Sequence, residues 1–211
     1  MIIYLIRHGR QNSTKCNVNV PLSQAGKEQA ILLGERLKQY EIDGVYSSDL
    51  IRAVETAEII REVLGNSSLS VQIDSRLRES DFGDLEGIEN DEVKKQYADF
   101  FEKRDLLEED LPYPGGENGL DVYRRVREAL LKITKQDKKR VCVVCHGGTI
   151  RSLLAGILNM HSAHRILFAK TLENCSITEL FYDEKKDRFY VERVNDYAHL
   201  EGYPDLLRKN W

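Results

Sequence analysis

The chain has 211 residues and a formal net charge of −4, with 41% hydrophobic and 31% charged residues, the composition of an ordinary water-soluble globular protein. No basic block offers itself to nucleic acid, no run approaches the ~20 apolar residues of a membrane span, and the N-terminus lacks the basic lead of a signal peptide. The length suits one domain over residues 1–211, and the scattered Cys16, Cys142, Cys145 and Cys175 suit reduced thiols, so a cytoplasmic location is expected.

Residues 2–6 form an apolar run that predicts a strand covered on both faces, as in a parallel sheet under helices. The run ends in Arg7, His8 and Gly9, and residues 11–20 read as a polar loop beside that end. Ser23 is a candidate N-cap for a helix with Ala30, Leu33, Leu37 and Tyr40 on its buried stripe. Residues 44–48 predict a second strand. A helix follows from about Asp49, with Ile51, Val54, Ala57, Ile60 and Leu64 on one face and Gly65-Asn66 as its stop.

Residues 71–73 predict a third strand, and 76–87 a charged connection punctuated by glycine. Residues 90–110, rich in charge and aromatics, predict a helical insertion over the sheet's edge. After a turn at 112–116, Val122, Val126, Leu130 and Ile133 mark an amphipathic helix. Residues 141–145 then form a second apolar strand that ends in His146-Gly147-Gly148, with a helix from about Gly148 to Leu158. Two late strands, 176–182 and 188–194, precede a tail, 195–211, whose three aromatics and one proline are expected to pack.

Two central strands lying side by side bring His8 and His146 into one pocket at the carboxyl edge, where open α/β sheets bind ligands. Arg7 leaves the first strand beside His8, and Arg52 lies near the start of a helix. Gly147 and Gly148 open another helix, where free N–H groups favour an anion. Two arginines, two histidines and backbone amides suit a phosphoryl group. The sequence has no Walker-type loop and no carboxylate cluster for magnesium, so phosphoryl chemistry is expected without a metal or cofactor.

Arg7-His8-Gly9 resembles the Arg-His-Gly signature of the histidine phosphatase superfamily, which includes the cofactor-dependent phosphoglycerate mutases. Four further stretches resemble family motifs in the same order: 21–30, 46–57, 77–87 and 143–148. The resemblance implies a three-layer α/β/α sandwich with a mostly parallel sheet and the 90–110 insertion over the active site. It implies His8 as the nucleophile that forms a phosphohistidine, with Arg7, Arg52 and His146 clamping the phosphoryl group. Glu79 is the implied proton donor, with Asp81 and Glu86 as nearby carboxylates that register alone could confuse with it. Gly9, Gly147 and Asn174 fall at supporting, substrate-side positions.

The sequence departs from the family after the signature, where Arg10-Gln11-Asn12-Ser13-Thr14 replaces the usual stretch with its phosphate-contacting asparagine. Asn12, Thr14 or Asn17 is left to supply that contact. Arg10 either meets a second acidic group of the substrate or faces solvent. Pro114-Gly115-Gly116-Glu117 reads as a substrate-side loop or as a plain turn.

Two decoys have bland readings. The stretch 142–146 fits the CxxCH haem-attachment pattern, but in an apolar strand its cysteines point to opposite faces and read as packing residues. His161 and His164 read as surface residues, without accompanying metal ligands. The reading is therefore a phosphatase that hydrolyses a small phosphorylated metabolite. The competitors are a mutase-type phosphotransferase and a non-catalytic phospholigand binder, the latter having no need of Glu79. Oligomeric state is not legible.

Overall fold

The computed structural model describes residues 1–208, so the expectation that Trp211 packs with the tail lies outside the described residues. β1 (Ile2–Arg7) lies at the centre of the sheet. β2 (Gly44–Ser47), β3 (Val71–Ile73) and β4 (Arg140–Cys145) complete a parallel set of four. β5 (Ile177–Asp183) runs antiparallel to β1, and β6 (Arg188–Asp196) antiparallel to β5. The order is β3-β2-β4-β1-β5-β6.

The helices are α1 (Gln24–Leu37), α2 (Ile51–Leu64), α3 (Asn90–Gln96), α4 (Ala98–Asp105), α5 (Gly119–Thr134) and α6 (Gly147–Ile157). Strand alternation sorts the core into two layers. Ile3, Leu5, Val141 and Val143 pack with Val126 and Leu130 of α5 and Ile150 and Leu153 of α6. Tyr4, Ile6, Cys142 and Val144 pack with Leu33 and Leu37 of α1 and Ala57 and Ile60 of α2. The result is a three-layer α/β/α sandwich. Cys142 and Cys145 lie in opposite layers, and burial pushes the Cys142 thiol up to about 12 and that of Cys145 also far up. Among the described residues, no helix is long and apolar enough to cross a membrane.

Helix ends differ from expectation where side chains have other work. α2 begins at Ile51 rather than Asp49. Asp49 is held by Arg78 (Nε to Oδ1, 2.6 Å), Leu50 stays extended, and the Ile51 N–H is capped from a distant loop by Asn19 Oδ1 at 2.8 Å. Tyr40 lies past α1 on a 3-10 turn, half-buried, with its ring 5.0 Å from that of Tyr4. In the tail the buried anchors are Leu200 and Leu206, whereas Tyr203 is half exposed at 50%.

The start of α1 is pressed against the loop that leaves β1. Ser23 Oγ accepts the Gly26 N–H at 3.1 Å, and the Ser23 N–H donates to Arg10 O at 2.8 Å. A Cβ on Gly26 would lie 2.2 Å from Arg10 O, and one on Gly9 would lie 2.5 Å from Gly26 O. Backbone therefore meets backbone beside His8, and only glycine fits on both sides. Gly26→Ala should destabilise the chain by about 1–3 kcal/mol through this clash, despite alanine's better helix propensity. A urea unfolding midpoint equal to wild type would contradict it.

Candidate active site

His8 follows the last residue of β1 and is 5% exposed. Its Nδ1 lies 2.7 Å from Gly9 O. A carbonyl oxygen can only accept, so Nδ1 carries the proton and Nε2 keeps its lone pair. Arg52 Nε donates to that Nε2 at 3.2 Å. Burial first, then Arg52 and Arg7, drives the His8 pKa well below the ordinary histidine value. The ring is thus neutral, with a defined tautomer and an unprotonated nitrogen facing a guanidinium.

His146 is fully buried with its ring centroid 5.0 Å from that of His8. Its Nε2 lies 2.7 Å from Ser48 Oγ, and its Nδ1 has no hydrogen-bond partner. Burial and the neighbouring His8, Arg52 and Arg7 hold its pKa well below the ordinary value. Arg7 donates through Nη1 to Leu172 O, while its buried Nε is also without a partner. Burial, with Arg208 nearby, brings the Arg7 pKa down to about 9, which leaves it cationic at neutral pH. Arg52 is held by Val18 O (2.9 Å) and Asn17 Oδ1 (2.7 Å). Gly147 packs on the Arg7 side chain.

Glu79 comes from the connection between β3 and α3 and meets the N-terminus of α6. Its Oε2 accepts from Gly148 N at 3.1 Å, and its Oε1 from Thr149 N at 3.1 Å and Ser80 N at 2.9 Å. A Cβ on Gly148 would lie 2.5 Å from Oε1, so this glycine is what lets the carboxylate approach. The other two carboxylates serve the loop instead. Asp81 Oδ1 accepts from Gly83 N (2.8 Å), and Glu86 Oε1 accepts from Asn17 Nδ2 (2.6 Å) and Phe82 N (3.2 Å).

The stretch 114–117 is a clamp rather than a plain turn. Asp84 N donates to Pro114 O (2.8 Å) and Glu117 N to Asp81 O (3.0 Å). Glu117 pairs with Arg125, whose guanidinium also donates to the carbonyls of Arg76, Arg78 and Glu79. Arg125 sits on the polar side of an amphipathic helix and gave no sequence signal. Ser48, beside His146, lies in the 46–57 stretch that carried the family resemblance, but nothing local marked its contact with the histidine.

A cavity of about 720 Å³ is lined by Arg7, His8, Arg10, Asn17, Arg52, Glu79 and Asn174, and His146 is buried beside His8 without lining it. Val93, Phe101 and Arg104 of α3 and α4 also line it. Asn17 thus joins the site through Arg52. Asn12 is exposed, its N–H donates to Pro21 O, and it is not among the cavity's lining residues; Thr14 is also exposed and bonds Glu89 (2.7 Å). Gly9 gives its N–H to Thr56 Oγ1 (3.0 Å), so its part is close packing rather than ligand contact. Asn174 Nδ2 donates to His8 O at 2.7 Å, which positions the histidine. Arg10 lines the cavity, and its Nη2 is held by Leu206 O (2.7 Å) and Leu207 O (3.1 Å) of the tail. Among the described residues, no three His, Cys, Asp or Glu side chains converge as a metal site.

The family model of the histidine phosphatase superfamily (branch 1) matches residues 3–197. The chain belongs to this superfamily. The phosphoglycerate mutase-like protein 4 of Arabidopsis thaliana is 35% identical over 94% of this chain and 86% of its own length. The probable phosphoglycerate mutase GpmB of Salmonella choleraesuis is 33% identical over 95% of each. A mycobacterial glucosyl-3-phosphoglycerate phosphatase superposes with a TM-score of 0.81 at 26% identity, over 92% of this chain and 98% of that one. This chain is thus similar both to mutase-named and to phosphatase-named proteins.

Buried neutral histidines have a consequence for stability. His8 and His146 resist protonation in the folded chain, and His199 is brought down to about 4 by burial and Arg36. Unfolded, each titrates near 6.5, so below that pH the unfolded chain binds more protons and gains on the folded one. The urea midpoint should fall as the pH is taken from 7 to 5, before carboxylates held low, such as Asp196, lose their charge. The fall should be shallower in His146→Gln; a slope unchanged by that substitution would contradict the assignment.

Proposed function

We propose that this chain is a phosphomonoesterase that hydrolyses a small phosphorylated metabolite through a phosphohistidine on His8, without metal or cofactor. The observation that carries the reading is the state of His8: proton on Nδ1, lone pair on Nε2, and Arg52 beside that nitrogen. A nucleophile needs that lone pair, and the flanking arginines keep the ring unprotonated. The same arginines attract the phosphoryl group, so one pair of cations both prepares the nucleophile and gathers its target.

In the first step Nε2 attacks phosphorus and the ester oxygen departs in line. Charge on the equatorial oxygens is met by Arg7 and Arg52 and, with Ser48 donating to His146 Nε2, by the unpartnered Nδ1–H of His146. Glu79 gives the leaving oxygen its proton. Its Oε2 accepts only one of the three backbone N–H groups and so has a lone pair that can carry a proton. In the second step Glu79 takes a proton from water, which attacks the phosphohistidine and releases inorganic phosphate. A mutase would instead pass the phosphoryl group to a second hydroxyl, as the names of two relatives imply for those proteins.

His8→Ala should abolish turnover while leaving the urea midpoint near wild type, and wild-type-like activity in that variant would refute the reading. Glu79→Gln should slow hydrolysis of an alkyl phosphate by about 10²–10⁴ but slow that of a nitrophenyl phosphate far less, since a phenolate departs unaided. Equal losses on both substrates would remove Glu79 as the acid. With 3-phosphoglycerate and bisphosphoglycerate together, release of inorganic phosphate without isomerisation is expected, and activity should survive EDTA.

A further inference from the structure

The tail enters the cavity. Arg208 lines it together with Arg7, His8 and Arg52, although it lies eleven residues beyond the last residue matched by the family model, which is 197. Its route is built. Arg10 Nη2 donates to Leu206 O and Leu207 O, Gln29 Nε2 donates to Leu206 O at 2.8 Å, and the Leu206 side chain is buried. The Arg208 N–H donates to Glu173 Oε2 (3.2 Å), and Arg208 Nε donates to Asn174 Oδ1 (3.1 Å). Asn174 passes its other end to His8 O. One amide side chain therefore ties the guanidinium of Arg208 to the backbone of His8.

Charge argues that this guanidinium has a ligand. Arg208 is close enough to lower the pKa of both Arg7 and His8. Among the described residues the acid acting on Arg208 is Glu173, which is fully buried and already accepts the backbone N–H groups of Asn174 and Arg208. Among the described residues no carboxylate makes an ion pair with the Arg208 side chain. Two guanidiniums so placed repel each other unless an anion lies between them.

We propose that Arg208 is a third arginine on the phosphoryl group, and that the tail, fastened by Arg10 and Gln29, is the latch that presents it. This rests on the cavity being the phosphoryl site proposed above, yet it can be tested without turnover. Inorganic phosphate is titrated calorimetrically into the wild-type chain and its variants. Arg208→Gln should weaken phosphate binding by about 10- to 100-fold, as expected for lost charged hydrogen bonds, with an unchanged urea midpoint. Arg208→Lys should fall between the two.

Phosphate affinity within twofold of wild type in Arg208→Gln would overturn the proposal. So would a weakening accompanied by a lowered urea midpoint that lysine does not restore, since that is a folding role. Arg10→Gln should also weaken phosphate binding and add nothing to Arg208→Gln; additive losses would overturn the latch by making Arg10 a ligand in its own right. Loss of phosphate binding in Arg208→Gln from a chain that proved to have no esterase activity would leave this inference standing and remove only the proposed reaction.

Discussion

The parallel register between β1 and β4 is the constraint on which the site depends. Leu5 faces Val143 and Arg7 faces Cys145 across that ladder, so both strands end level and the residues that follow, His8 and His146, come to lie 5.0 Å apart. A slip by one residue would turn every side chain of β1 to the opposite layer and separate the rings. The register is secured by burial, because Ile3, Leu5, Val141 and Val143 on one face and Tyr4, Ile6, Cys142 and Val144 on the other are all within the core. The hydrophobic pattern of two short strands thereby sets the geometry of a polar site.

That polar site is costly to build and is held from several directions. Arg52, His8 and His146 are buried and packed beside Arg7, and the neutral state of the imidazoles is what makes this bearable. Backbone carbonyls take up part of the arginine donors: Leu172 for Arg7 and Val18 for Arg52. Glu79 is handled differently. Its carboxylate rests on the amides that open α6, and its backbone is gripped by Arg125, which Glu117 holds in turn. Glu79 and His8 are thus fixed by separate supports, one on the loop after β3 and one on β1.

The two chain segments least regular in pattern shape the rest of the cavity. α3 and α4 bring Val93, Phe101 and Arg104 to its wall, with the Arg104 guanidinium 5.0 Å from the Phe101 ring and 5.5 Å from that of Tyr113. The tail brings Arg208. The centre is in this way enclosed by walls that differ in character, one aromatic and one cationic.

Sequence alone determined the sheet-forming runs, the amphipathic helices, the meeting of Arg7, His8 and His146 at one edge and the place of Arg52 near a helix start, because apolar periodicity reports burial and parallel strands share the edge at which they end. Glu79 entered only through the resemblance to family motifs, since it lies on a loop with no period of its own. What it left open depended on contacts between residues far apart in the chain. Whether Asn12, Thr14 or Asn17 approaches Arg52 was decided by the path of the loop, which sends Asn12 outward and turns Asn17 onto the guanidinium. Arg10, open in the sequence between a substrate contact and a solvated charge, lines the cavity and also fastens the tail. Arg125 and Arg208 carry no local pattern, since each acts on a partner at least 34 residues away. Periodicity encodes which face is buried, whereas a long polar side chain finds its partner only when the tertiary fold has brought that partner within reach.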